Sequence, residues 1–271
     1  MKLIVPGSGT SHGIPVLGCG CPVCRSEDPK DKRTRASLYI EGDGGERVVI
    51  DTGPEFRLQA IRAGITRLDA VLLTHAHADH VHGLDDVRPL STERPLPVYG
   101  NRKTLEEIRE RFAYVFRETQ RGGGKPHIVL REAVRPLAIG SLLFTPVPVK
   151  HGEMDILGWR IDGKGGTGQD RGAVYLTDTS AIPLESRSLI GSPQILIIGG
   201  LRTRPHATHF SFEEALNAGV ELGARRIFLT HICHDYTHRE INRYCRDFIT
   251  ARGLGDISME AAWDGMELDL K

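Results

Sequence analysis

The sequence predicts an α+β fold, a sandwich of mixed β-sheets between helical layers, on three observations. Short, β-branched apolar runs bounded by turn residues recur along the whole chain, segments of helical periodicity lie between some of them, and the strands come first in pairs with helices later. That order suits a layered sandwich better than a barrel. At 271 residues the chain is long enough for a substantial core. With no internal repeat and no low-complexity linker, it reads as one domain over 1–271.

The expected strands are Leu3–Val5, Val48–Ile50, Ala70–Leu73, Leu142–Val149, Val174–Leu176, Ile195–Ile198 and Ile227–Leu229. Leu105, Ile108, Phe112 and Val115 keep to one face of a helix, as do Ile241, Cys245, Phe248 and Ile249. A third helix is expected to begin at Ser211, where Glu214 three residues on completes a capping box. Arg121–Lys125 and Gly163–Gly172 read as surface turns.

Thirty-five basic residues balance thirty-five acidic ones, so a broad electrostatic grip on nucleic acid is not expected. No apolar stretch approaches the roughly 20 residues of a membrane helix. The opening MKLIVPGSGT is broken too early by Pro6 and Gly7 to be an export signal. Five cysteines, three of them crowded into Cys19–Cys24, then point to metal ligation in a reducing compartment, and the expected location is cytoplasmic.

One regularity turns the fold into a site. Leu72-Leu73-Thr74 runs into His75, Val147–Lys150 into His151, Tyr175-Leu176-Thr177 into Asp178, and Phe228-Leu229-Thr230 into His231. Strand ends are where a layered α/β fold gathers distant side chains into one crevice. In His75-Ala76-His77-Ala78-Asp79-His80, four ligand-type side chains fall within six residues. A tight turn there can aim His75 and His77 at one point and Asp79 and His80 at a neighbouring one. Imidazole and carboxylate together suit zinc, manganese or iron. His151 and His231 could complete two coordination shells, and Asp178 could bridge two divalent ions. Such a pair lowers the pKa of a bridging water enough to make hydroxide near neutral pH, with Asp79 accepting its hydrogen bond. His209 and His206, on the approach to Ser211, are candidates for protonating a leaving oxygen.

The HxHxDH segment, followed in order by His151, Asp178 and His231, resembles the metallo-β-lactamase superfamily. The resemblance runs from the first strand to the closing Trp263-Asp264-Gly265-Met266. It implies an αββα sandwich with a dinuclear site at one edge.

Cys19, Cys21 and Cys24 offer three thiolates for one tetrahedral structural zinc, with His234 as the fourth ligand and Cys233 as its competitor. Gly7–Pro15 followed by Gly18–Cys24 is similar to the PhnP-type phosphodiesterases, which open phosphoribosyl 1,2-cyclic phosphate during phosphonate breakdown. That likeness implies an extra zinc on positions matching Cys19, Cys21, Cys24 and His234, and a catalytic role at the position matching His209. No such likeness covers Asn101–Ile139.

An anionic substrate calls for further donors. Ser8, Thr10, Ser11 and His12 in the glycine-rich turn, Arg88 after the metal segment, and Arg202, Arg204 and His206 are candidates, with turn chemistry and an Arg–Asp pair as the plainer explanations. The leading expectation is a phosphodiesterase for a small phosphodiester, a cyclic ribose phosphate included, carrying two Zn2+ or Mn2+ ions and one structural Zn2+. A homodimer is compatible with it, and neither nucleic acid nor membrane is expected as a partner. The alternatives are a nuclease of the tRNA 3′-processing kind, disfavoured by neutral charge and the lack of a basic glycine-proline-rich arm, a thioester hydrolase, and a non-hydrolytic binding protein similar to PqqB.

Overall fold

The computed structural model describes residues 1–117, 124–163 and 172–270, so the two stretches read as surface turns lie largely outside the described residues. Fourteen strands, numbered in chain order, form two seven-stranded sheets among those residues. The first runs β14 (Met266–Asp269), β1 (Lys2–Gly7), β2 (Ser37–Glu41), β3 (Arg47–Ile50), β4 (Ala70–Leu72), β5 (Leu96–Gly100) and β6 (Ile128–Glu132). The second runs β7 (Leu137–Ile139), β8 (Leu142–His151), β9 (Met154–Asp162), β10 (Ala173–Leu176), β11 (Ile195–Gly199), β12 (Arg226–Thr230) and β13 (Ser258–Ala261). Taken in these orders, each sheet has three antiparallel pairings followed by three parallel ones.

The sandwich follows from strands apolar on both faces. Val48 and Ile50 point into the layer between the sheets, where they share a core with Phe144, Trp159, Tyr175, Ile197 and Phe228. Val49, between them, points outward and packs with Phe56, Ala60 and Ile108 of the helices Phe56–Arg62 and Arg102–Arg111. On the far face, Leu196 and Ile198 pack against Phe212 and Leu216 of the helix Phe212–Glu221 and Ile241 and Cys245 of the helix His238–Arg252. Two mixed β-sheets flanked by helices are therefore the architecture, as expected.

Local signals act as read, with one correction. The Ser211–Glu214 capping box forms, and a second, Thr237 with Glu240, opens the last helix. The 105–115 face is buried but is not one helix. Phe112, at φ −106° and ψ 36°, ends the first segment and starts the short turn Ala113–Phe116. Among the described residues, no helix is long and apolar enough to cross a membrane.

Candidate functional site

The strand ends aim their side chains at one place. His75 follows β4 by three residues, His151 ends β8, and Asp178 and His231 follow β10 and β12. Asp178 (φ 53°) and His231 (φ 55°) hold left-handed backbone conformations, as does Asp51 (φ 62°) after β3, and these are the non-glycine residues of positive φ among the described residues. Such conformations cost energy and persist where surrounding structure fixes them, commonly at functional sites.

Ligand atoms of His75, His77 and His151 lie within 4.8 Å of one another, as do those of Asp79, His80, Asp178 and His231. The two groups adjoin, with the His75 and His80 rings 4.3 Å apart. Within the second group Asp178 Oδ2 lies 3.1 Å from His80 Nε2 and its Oδ1 3.2 Å from His231 Nε2, and Asp178 also groups with His151 of the first and with His209. All seven residues singled out for the dinuclear site are brought together.

The donor set fits divalent cations. His75 Nε2 is buried with no hydrogen-bond partner among the described residues, and His80 Nε2 and His231 Nε2, also buried, face only the Asp79 and Asp178 carboxylates, an arrangement that a cation between the donors would satisfy. Three of the site's imidazoles are fixed from behind: His151 Nδ1 donates to the Thr208 carbonyl (2.7 Å), His80 Nδ1 to Asp51 Oδ2 (2.7 Å), and His75 Nδ1 meets Thr74 Oγ1 (3.0 Å). Charge tells the same story. Burial alone would drive His80 toward the neutral ring, yet Asp178, Asp51 and Asp79 together hold it protonated well above the usual range. Burial would raise Asp79, but His80 and His231 hold it far below the usual carboxylate range. The pocket demands positive charge.

His209 stands at the rim, its ring 4.7 Å from His151 and 4.9 Å from His231, and its Nδ1 3.7 Å from Asp178 Oδ1. Burial, and then the neighbouring His231, push its pKa down to about 3, with Asp178 opposing. His206 lies one ring further out, 5.1 Å from His209 and exposed.

The cysteines gather as well. Cys19, Cys21 and Cys24 place their Sγ atoms 3.5, 3.4 and 3.4 Å from His234 Nδ1. A tetrahedron with metal–sulfur bonds of about 2.3 Å and a metal–nitrogen bond of about 2.0–2.1 Å has an edge of about 3.6 Å, so this cage fits zinc. The Cys24 amide, 3.4 Å from Cys21 Sγ, is the main cause that lowers that thiol to about 6, while burial pushes Cys24 up to about 11. Cys233 is not in the cluster, and burial raises its thiol to about 11.

Other expectations are corrected. The amides of Ser8, Gly9, Thr10 and Gly13 are spent on Asp264 and on the Thr34, Ile232 and Thr10 carbonyls, so the glycine-rich turn is a structural knot and no anion cradle. Ser11 is exposed and accepts from Arg35 through its carbonyl, and His12 lines a separate cleft. Arg88 is exposed and donates to the Gly124 carbonyl (2.9 Å), making no ion pair with an aspartate among the described residues. Arg204 pairs with Asp235.

Sequence reasoning missed Asp51, fully buried, which accepts from His80, from the Thr74 amide (2.8 Å) and from Thr74 Oγ1 (2.7 Å). The signal was there: Val48–Ile50 runs into Asp51 just as the other strands run into ligands. Arg111 was also missed. It donates to the Ala76 carbonyl between His75 and His77, tying the helix Arg102–Arg111 to the metal turn.

Comparison with known proteins agrees with this geometry. The chain is similar to a solved diphosphatase of the PhnP family, 38% identical with a TM-score of 0.84 over 98% of this chain and 96% of that one. It shares its fold with the Zn2+-bound PqqB of Methylobacterium extorquens, at 19% identity and a TM-score of 0.77 over the full length of both. A curated octanoyltransferase of Porphyromonas gingivalis is 43% identical over 86% of this chain, but the match takes in only 46% of that protein. The chain spans less than half the length of the first curated relatives it matches. The family described as the Beta-lactamase superfamily domain matches residues 46–232, which hold every ligand of the two adjoining clusters. On that match and this fold, the chain belongs to the metallo-β-lactamase superfamily.

Proposed function

We propose that this protein is a metal-dependent phosphodiesterase of the PhnP type, acting on a small phosphodiester such as a cyclic ribose phosphate. The observation that carries the reading is the Asp178 carboxylate, which belongs to the Asp79, His80 and His231 cluster and also groups with His151 of the adjoining one, with His209 at its edge. His75, His77 and His151 would hold one divalent ion, Asp79, His80 and His231 the other, and Asp178 both, with zinc or manganese suited to the donors. Bound there, two such ions acidify water and neutralise charge growing on a phosphoryl oxygen.

The chain supplies the rest. Asp79, ionised and fixed between His80 (3.2 Å) and His231 (3.5 Å), can accept a hydrogen bond from the attacking water and orient it. With Nδ1 turned to Asp178, His209 keeps Nε2 for the departing oxygen. The ring is neutral at rest, and an anionic ester beside it favours the protonated form that can act as general acid. Cys19, Cys21, Cys24 and His234 would hold a zinc that ties the N-terminal loop to the segment carrying His231.

The likeness to a PhnP-family diphosphatase supports phosphoric chemistry and makes P–O–P cleavage the sharpest rival substrate class. The octanoyltransferase likeness favours thioester hydrolysis as a second reading, although more than half of that protein lies outside the match. Turnover should be compared on bis(p-nitrophenyl) phosphate, a cyclic ribose phosphate, a diphosphate ester, a precursor tRNA and an octanoyl thioester. The phosphodiesters should lead, and Asp79→Ala should abolish their cleavage with the fold intact. Preferred turnover of the thioester, or near-normal phosphodiester turnover by Asp79→Ala, would overturn the reading.

A further inference from the structure

Outside the metal clusters the molecule has a cleft of about 520 Å³, within the range of small-ligand pockets. Its wall carries Lys32, Arg33, Arg35 and Arg62 against two carboxylates, Glu55 and Asp264. In a chain of zero net charge, this is a local cationic excess inside a concavity, where field lines concentrate.

Both acids are engaged within the protein. Glu55 is paired with Arg35, and Asp264 accepts four hydrogen bonds, from the amides and hydroxyls of Ser8 and Thr34. The cations are left in surplus. Arg33 is 2% exposed, yet it makes no ion pair among the described residues; its guanidinium meets Ser8 Oγ, the Ala262 carbonyl and His238 Nδ1. Its opposite charges are Asp264 and Asp31, so the spare positive charge of the cleft lies on Lys32 and Arg62. Lys32 spends one of its three donors, on the Cys24 carbonyl (3.2 Å), and Arg62 spends none among the described residues.

We propose that this cleft binds a small phosphate-bearing anion. The cleft borders the backbone of both clusters. Lys32 leads to Cys24 of the cysteine cage, and Arg35 packs against Gly53, whose small size lets the chain pass the Asp79 carbonyl. The site stands independently of the phosphodiesterase reading.

The test labels the arginines of the full-length, metal-loaded protein with phenylglyoxal and follows Arg62 by mass spectrometry. Inorganic phosphate and ribose 5-phosphate are the two probes. Both should slow modification of Arg62, and Asp79→Ala should keep that protection, because the ligand is not at the dinuclear cluster. A half-protecting concentration about tenfold lower for ribose 5-phosphate would assign the ligand to phosphorylated small molecules, and equal values to free phosphate. Lys32→Ala should raise the half-protecting concentration roughly tenfold, about 1.4 kcal/mol, and Lys32→Arg should restore it. Unchanged labelling of Arg62 at millimolar levels of either probe, or protection lost in Asp79→Ala, would overturn the proposal.

Discussion

In the first sheet, β3 is where antiparallel pairing gives way to parallel; in the second, β10 holds that place. Each is followed by an aspartate of positive φ, Asp51 or Asp178, and then by a seven-residue helix, Phe56–Arg62 or Leu184–Ile190. The backbone plan is the same, but the two carboxylates face opposite sides of one imidazole. Asp51 takes His80 Nδ1 from behind and is filled by Thr74, whereas Asp178 lies 3.1 Å from Nε2 on the open side, with one hydroxyl, that of Thr177, donating to it. Topology thus decides where a carboxylate stands, and the donors around it decide whether it still has lone pairs for a ligand.

The most damaging way to probe this difference is Asp178→Asn. Asparagine tolerates the same left-handed backbone, so strain is not what changes. Phosphodiester turnover should fall to background and bound divalent metal should fall with it, read by steady-state kinetics and elemental analysis. A variant that keeps both would erase the distinction between the two aspartates.

Asp51→Asn should do less. Three donors, His80 Nδ1–H, the Thr74 amide and the Thr74 hydroxyl, converge on Asp51. One amide oxygen cannot serve them all, and the new NH2 group opposes one of them. Partners behind a ligating histidine typically matter by roughly 10–100-fold in metal affinity or activity, and a loss in that range is expected. A loss as deep as that of Asp178→Asn would mean that both carboxylates act directly on the metals.

The same comparison explains what the sequence could be made to say. Strands buried on both faces, such as Val48–Ile50 and Ile195–Ile198, announce themselves as unbroken β-branched runs. Their strand-end ligands were legible with them, since HxHxDH puts four donors in one turn. Half of the strands were not legible. β6 is a largely exposed edge and β7 has three residues, so burial leaves little pattern on either. β9 contains Gly158, which reads as a breaker, yet a side chain there would strike Leu176 and the Tyr175 carbonyl of the neighbouring strand. The repeated topology left no trace either, because equivalent positions carry unlike residues: Asn101 caps a helix after β5, while His231 follows β12 and faces Asp178. Asp51 was overlooked because a lone aspartate before Thr52-Gly53 looks like turn chemistry, and only the fold puts His80 against it.

A third variant, Cys21→Ser, separates the cysteine cage from the paired clusters. It should release one zinc and lower the thermal midpoint by roughly 5 °C, the shift that about 2 kcal/mol produces in a chain near this size. The residues of the paired clusters keep their own partners, so any metal they hold should stay. Unchanged metal content with unchanged stability would refute a structural zinc at the cage.

The smallest expected effect tests how differently the loops after β4 and β11 begin their helices. After β4, His77 occupies the N-cap of Ala78–Val81 and makes no side-chain capping bond, so the position normally given to stability carries a ligand-type ring. After β11, Ser211 caps Phe212–Glu221 with a complete box, two residues beyond His209. Ser211→Ala removes the hydroxyl that accepts from the Glu214 amide and should cost about 1 kcal/mol, or roughly 2–4 °C in thermal midpoint. Metal content should be unchanged, because Ser211 touches no ligand. Turnover should fall only a few-fold, through looser placement of His209, with the loss in kcat and little change in KM. A loss of metal in this variant would show that the entrance to the second loop holds the cluster as well as the rim, and the contrast between the two loops would vanish.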